Sequence, residues 1–311
     1  MSLIPRPILT DGATHSAQQF RLLVADLSRD QEGVTRGTDL KVSQLGTPGS
    51  SVQVSSGTGL VIGRYASYQG TYAVANVGAT NVAIASTGGS PRSDMLIVRV
   101  EDPEYEGSLD PAVDEVVYFD IISGVSSSAT AIPDGRTGIP LARIDIPAST
   151  STITNSHIVD LRKIANPRRD RQMLLQSPLS LSTAINNANG TYSYFSTHDG
   201  WTIAVPAWAS KAVIRVDIAA MRYTTAQFLG SLRATFGASL TLQPVTLDDN
   251  QTAIRRAYAF VADTVTIPDA YRGTNQLLRA QAAGVSPNTG ALTVDSATTF
   301  FADIEFIEAP R

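Results

Sequence analysis

Two sets of side chains in this sequence could do chemistry. The first is acidic. Glu101, Asp102, Glu104 and Glu106 crowd together, with Asp110, Asp114 and Glu115 following. Glycoside hydrolysis needs only a pair of carboxylates, so a polysaccharide depolymerase is open on composition. The same stretch holds Pro103, Gly107 and Pro111, which favours a solvated acidic hairpin loop. Asp248-Asp249-Asn250 could offer oxygen to calcium, but it lacks the spaced D-x-D-x-D-G loop, and a turn between strands explains it equally well. The second set is aromatic. Tyr192, Tyr194, His198 and Trp201 gather around the turn His198-Asp199-Gly200, and Trp208 follows Pro206. Aromatic faces stack on sugars while their polar edges hydrogen bond. These five are the candidate glycan-binding residues, against the alternative that Trp201 and Trp208 fill a core or its rim.

Other chemistries fail for want of parts. There are no cysteines, which removes disulfides, thiolate metal sites and thiol nucleophiles. The histidines are His15, His157 and His198, in three distant segments, so neither a three-histidine metal site nor a ready general base is expected. Ser51, Ser126, Ser239 and Ser286 each miss the second glycine of a nucleophile elbow. Gly57-Thr58-Gly59 lacks the third glycine, the Lys-Ser/Thr pair and the helix of a phosphate loop, and Gly59 reads as a turn between strands. We therefore expect no catalytic residues, no cofactor, no metal and no enzymatic activity. With 24 Lys+Arg against 28 Asp+Glu, the net charge is −4, which offers a nucleic-acid backbone no basic excess. At 43% hydrophobic and 17% charged residues the chain is too apolar to be disordered. No apolar run approaches the roughly 20 residues of a spanning helix, and Met1–Pro7 lacks the layout of a secretory signal.

One segment reads as helix, about 16–30. Ser16-Ala17-Gln18-Gln19 fits an S-x-x-Q capping box. Behind it Phe20, Leu23, Val24 and Leu27 form one apolar stripe, with Arg21, Asp26 and Arg29 off it. From there to about Ile164 the period is two, through Val52/Val54, Leu60/Ile62, Tyr72/Val74, Val82/Ile84, Leu96/Val98/Val100, Val117/Phe119/Ile121 and Ile144/Ile146, with glycine and proline turns between. Residues 166–172, Asn166-Pro167-Arg168-Arg169-Asp170-Arg171-Gln172, read as a solvated linker. Alternation resumes beyond it. Ile214, Val216, Ile218 and Ala220 share a face, as do Leu232, Ala234 and Phe236, and finally Phe300, Ala302, Ile304 and Phe306. Tyr258 and Phe260 face away from Ala257, Ala259 and Val261. The fold class expected is mainly β. A helix and a sandwich- or barrel-like module (1–165) precede an antiparallel β-sandwich (173–311), expected to be wired as a jelly roll.

An ordered series of segments carries a resemblance across about 1–165. They are Arg6-Pro7-Ile8-Leu9, Gln19-Phe20-Arg21-Leu22-Leu23, Gly70-Thr71-Tyr72, and Ser90-Pro91-Arg92-Ser93-Asp94 with its following strand. Then come Glu104-Tyr105-Glu106-Gly107, Ile139-Pro140-Leu141-Ala142-Arg143-Ile144-Asp145-Ile146, and Ile158-Val159-Asp160-Leu161-Arg162. In this series the chain resembles the N-terminal module of minor tail proteins of tailed bacteriophages, the tail-tip or baseplate appendages. The resemblance implies a virion protein made in the host cytoplasm. Its first module would dock on other tail or baseplate proteins, it would assemble as a homotrimer, and its variable second module would be displayed for receptor binding. Host-surface glycan is the receptor class that the aromatic cluster suggests. A tail depolymerase, or an architectural component without host contact, are the rival expectations. No heptads support a coiled-coil trimer.

Overall fold

The computed structural model describes residues 4, 7, 8, 10–224 and 226–311. Arg6 and Leu9 of the first resemblance segment, like most of Met1–Pro7, lie outside the described residues. The chain divides into two compact units. One comprises Met1–Pro167 with Ala309–Arg311, and the other Arg168–Glu308. The protein is mainly β, with one α-helix near its N-terminus and antiparallel sheets throughout both units.

The first unit wraps three small sheets around one core of Val34, Leu40, Val52, Val54, Val61, Leu96, Leu141 and Ile144. Its central strand, Arg92–Val100, lies between Val117–Val125 and Gly138–Ile146. Both faces of that strand are covered. Leu96 and Val98 enter the main core, while Met95 and Ile97 pack with Leu161 on the other side. Burial on both faces is why this strand reads as a continuous apolar run. Gly59 is not a turn residue; it sits inside the strand Gly57–Ile62, opposite Val34. A Cβ there would lie 3.2 Å from the Gly33 carbonyl oxygen, so glycine admits a close strand.

The helix spans Ala17–Ser28. Ser16 and Gln19 form the reciprocal capping box, and Arg29 ends the helix in the left-handed conformation. Its packing reverses the ordinary rule that the apolar stripe turns to the core. The face buried is Arg21, Ala25 and Ser28, while Phe20 stays 49% exposed and Leu27 74%. Arg21 causes this. Its Nε donates to the Gln69 carbonyl at 2.8 Å, and Nη2 donates to Glu104 at 2.9 Å and to the Tyr105 hydroxyl at 3.0 Å. Nη1 lies 3.3 Å from Asp102, and the guanidinium carbon is 5.2 Å from the Tyr72 ring centre and 5.3 Å from that of Tyr105. Burial opposes the charge on Arg21, but Glu104 and the two tyrosines outweigh it and raise its pKa. The helix lies so close that a Cβ on Gly70, at φ +82°, would come within 2.7 Å of Arg21 backbone.

Clamps of the same kind recur at the other resemblance segments. Arg92 chelates Asp94, whose carboxylate also accepts from the Gly124 amide. Arg143 holds Asp145, which accepts from Ser93. Arg162 binds Asp160 and the carbonyls of Gly37 and Asp39.

The second unit is an antiparallel sandwich with jelly-roll wiring. Its described residues form eight main strands, the second of them in two short pieces. One sheet runs Arg169–Gln176, Thr299–Ile307, Lys211–Tyr223, Arg255–Thr266, so the first strand pairs with the last. The other runs Ser193–Tyr194 with Trp201–Ala204, then Asn275–Gly284, Phe228–Phe236 and Val245–Asp249. The expected alternations hold: Ile214, Val216, Ile218, Leu232, Ala234, Phe236, Phe300, Ala302, Ile304 and Phe306 all face one core. Ala220 is the exception. The register shifts between Ile218 and Met221, and Ala220 at φ +59° is skipped, so that Met221 and Tyr223 turn inward instead.

The stretch 166–172 is not a solvated connector along its length. Arg169 opens a strand, and the arginines there form cross-strand pairs: Arg168 with Glu308, Arg169 with Glu305, Arg171 with Asp303.

Replacing Arg21 by Met should free the helix. Breaking a buried pair from one side costs about 3–5 kcal/mol, and the exposure of Glu104 sets this case at the lower end. We expect accelerated amide exchange across 17–28 in Arg21→Met and in Gly70→Ala, with the strands of Arg168–Glu308 still protected. Unchanged exchange in both variants would refute the clamp.

Candidate functional site

The five aromatic candidates separate into core and surface. His198 and Trp201 belong to the core. His198 has no exposed surface, stacks on Phe300 with centroids 3.7 Å apart and planes 5° apart, and meets Trp201 edge-on at 4.9 Å. The expectation that these two contact glycan is corrected: the turn that carries them folds inward, because two large flat side chains gain more area against Phe300 than in solvent. Trp208 packs half-buried against the same core, its ring under the Arg168 guanidinium at 5.2 Å. It is not brought together with the two tyrosines.

Tyr192 and Tyr194 lie on the outer face of the sheet that holds Phe228–Phe236 and Asn275–Gly284. Alternation along Phe228–Phe236 puts Leu232, Ala234 and Phe236 inside, leaving Ser231, Arg233 and Thr235 outside. On the neighbouring strand the outward positions include Arg279 and Gln281, with Gln281 opposite Arg233 and Arg279 opposite Thr235. Tyr194 is opposite Gln281 on the edge strand.

These residues form two matching stacks. The Arg233 guanidinium lies 3.7 Å from the Tyr192 ring centre, and that of Arg279 lies 4.4 Å from Tyr194. Each tyrosine hydroxyl is anchored, Tyr192 to Ser231 at 2.7 Å and Tyr194 to Thr235 at 3.2 Å. Arg233 Nε donates to Gln281 Oε1 at 2.9 Å, and Arg279 Nε donates to the His198 carbonyl at 2.9 Å. The buried histidine turn is therefore the seat of one arginine. Sequence reasoning missed both arginines as site residues. Arg233 was legible from its outward phase in an alternating strand, whereas Arg279 lies in a run, Leu277-Leu278-Arg279-Ala280, with no clear period.

The acidic stretch is the expected hairpin loop, joining Arg92–Val100 to Val117–Val125 with Asp110, Asp114 and Glu115 exposed, but Glu101, Asp102, Glu104 and Glu106 are held by arginines and form no free carboxylate pair. Asp102 is paired with Arg21 and accepts from the Tyr72 hydroxyl at 2.7 Å. Glu101 accepts from Tyr118 and sits 3.4 Å from Arg99, which is equally close to Glu106. Burial, with Glu101 accepting its hydrogen bond, pushes the Tyr118 phenol up to about 12. These acids act as counter-ions to arginines that fasten the first unit. Asp249 likewise belongs to an ion pair, with Arg255 at 3.0 Å. Among the described residues no group of three or more His, Asp or Glu side chains could hold a metal ion.

No family model matches the chain, and no curated protein matches it. Among solved structures it is similar to the VP2 subviral particle of infectious bursal disease virus, at 9% identity and TM-score 0.27, covering 90% of this chain and 74% of that one. The Gx strain of the same virus gives 11% identity and TM-score 0.25, covering 90% and 79%. The Bacillus endospore appendage pilus gives 10% identity and TM-score 0.18, covering 46% and 89%. At such TM-scores the likeness carries no functional inference.

His198 gives the second unit a pH dependence. Burial, reinforced by the charge of Arg279, lowers its pKa to about 4 from an ordinary 6.5. The unfolded chain therefore takes up the proton first. Stability is full above about pH 6.5 and falls as pH drops towards 4, by roughly 3 kcal/mol in total at 1.4 kcal/mol per unit. Urea titrations at pH 7 and pH 4.5 should show this loss in the wild type and a smaller one in His198→Phe. Equal losses would remove His198 as the cause.

Proposed function

We propose that this chain is a non-enzymatic structural protein of a virion, a tail-tip component of a tailed bacteriophage. The first unit docks on neighbouring tail or baseplate proteins, and the second displays its jelly roll to glycan on the host surface. The observation that carries the docking reading is the helix held with Phe20 and Leu27 outward. Of the stripe, Phe20 and Leu27 are exposed while Leu23 and Val24 are half-buried, and exposed apolar side chains grouped on one face are most stable when a partner covers them. Three further observations support the reading. The resemblance segments of the first module serve as arginine clamps and not as reactive groups. The carboxylates a depolymerase would need are engaged as counter-ions. The outward tyrosines of the second unit stand on a rigid sheet face, where a binding surface keeps its geometry. Assembly as a homotrimer belongs to the same reading, since it follows from the tail-appendage resemblance.

Phe20→Asp with Leu27→Asp tests it. Both side chains are exposed, so the double variant should melt like wild type. Its incorporation into particles, read by immunoblot of purified virions, should drop at least tenfold. Normal incorporation would sink the docking role of the helix.

A further inference from the structure

The arginines stacked on aromatic rings fall into two kinds. Arg21, Arg168, Arg215 and Arg255 each lie over a ring and also hold a carboxylate, those of Glu104, Glu308, Asp217 and Asp249. Arg233 and Arg279 lie over Tyr192 and Tyr194 and pair with no carboxylate among the described residues. Asp199, next to the His198 carbonyl that Arg279 uses, makes no ion pair with it. In a chain of net charge −4, the stacked arginines left without a counter-ion are thus neighbours on one sheet face. Arg233 and Arg279 are diagonal partners across adjacent strands, a separation of ~7–8 Å between backbones.

The stacking also decides what the face can grip. A guanidinium already lies over each tyrosine ring, so the rings are not offered to a neutral sugar as open platforms. The groups left to offer are N–H edges. Arg233 uses Nε on Gln281 and has no partner for either Nη among the described residues, while Arg279 uses Nε on His198 and one Nη, at 3.4 Å, on the Phe195 carbonyl. Ring stacking, together with the anchored Nε, fixes the guanidinium planes in advance. Planar, pre-ordered N–H edges match carboxylate and phosphate oxygens.

We propose that this face binds an anionic polysaccharide, with carboxylate or phosphate groups on nearby sugars seated on Arg233 and Arg279. The proposal deepens the glycan-display reading above and rests on it. The full-length chain is offered to sensors coated with alginate, phosphomannan, dextran or poly-glutamate. Alginate or phosphomannan should bind at low salt and release as salt rises, and dextran should not bind. Arg233→Gln with Arg279→Gln should weaken binding at least tenfold with an unchanged melting curve, whereas Arg169→Gln, an exposed charge on the other sheet, should leave it intact. Four results overturn the proposal: neither anionic glycan binds, dextran binds as well, poly-glutamate binds as tightly as alginate, or the double variant binds like wild type. A loss in Arg169→Gln equal to that of the double variant also overturns it, since the attraction would then be general charge. The display reading fails separately, if the wild-type chain does not adsorb to susceptible cells. A chain that ignores both anionic glycans yet adsorbs to those cells keeps that reading and loses this one.

Discussion

The buried guanidinium of Arg21 sets the character of the first unit. A charged side chain removed from water must be surrounded by partners or it unfolds its surroundings. Here those partners come from Gln69, Asp102, Glu104, Tyr72 and Tyr105, on segments far apart in sequence. The helix cannot roll to bury Phe20 and Leu27 without stripping that charge. The exposure of Phe20 and Leu27 is thus enforced by electrostatics. The acids in 101–106 are explained by the same need, because they serve the arginines from positions that resemble a catalytic cluster only in one dimension.

Arginine performs this task repeatedly, and in several cases the geometry is local. Arg92 with Asp94, Arg143 with Asp145 and Arg215 with Asp217 are pairs two residues apart on one strand face, and Arg162 with Asp160 has the same spacing just past a strand end. Alternation places such residues side by side, so a strand can neutralise its own charge before it meets a neighbour. Against that habit, Arg233 has Ser231 and Thr235 at the same spacing, and Arg279 has Leu277 and Gln281. No acid is supplied where the pattern elsewhere supplies one.

Much of the fold was legible because burial on one face imprints a period of two. The strands around Ile214, Leu232 and Phe300 read correctly down to which residues face the core, and the capping box marked the helix start. What stayed hidden depends on partners distant in sequence. Nothing local in Gln19-Phe20-Arg21 says that the cation would be buried and the phenylalanine exposed. The skipped residue Ala220 needed knowledge of the opposing register. Of the clustered aromatics, Tyr192 and Tyr194 stay on an outer sheet face, while His198 and Trp201 go to the core. Sequence proximity to a turn does not say which way the turn folds. Arg279 escaped because two consecutive leucines, Leu277 outward and Leu278 in the core, hide the period of the strand.

The wiring of the second unit separates its outer sheet face from the strands that close it. The first strand of the jelly roll pairs with the last, with Arg169 opposite Ile307, and Arg168 is bonded to Glu308 at the point of entry and exit. Residues 309–311 then rejoin the first unit, where the Arg311 amide donates to the Gly37 carbonyl. The second unit is therefore an insertion whose two ends are adjacent and locked to each other. A domain whose ends are paired in this way tolerates insertion into another chain, whatever its outer face carries. The arginine–tyrosine face lies on the sheet opposite to the one that closes the gap. Substitutions that alter its charge therefore leave the Arg168–Glu308 closure on the other sheet intact.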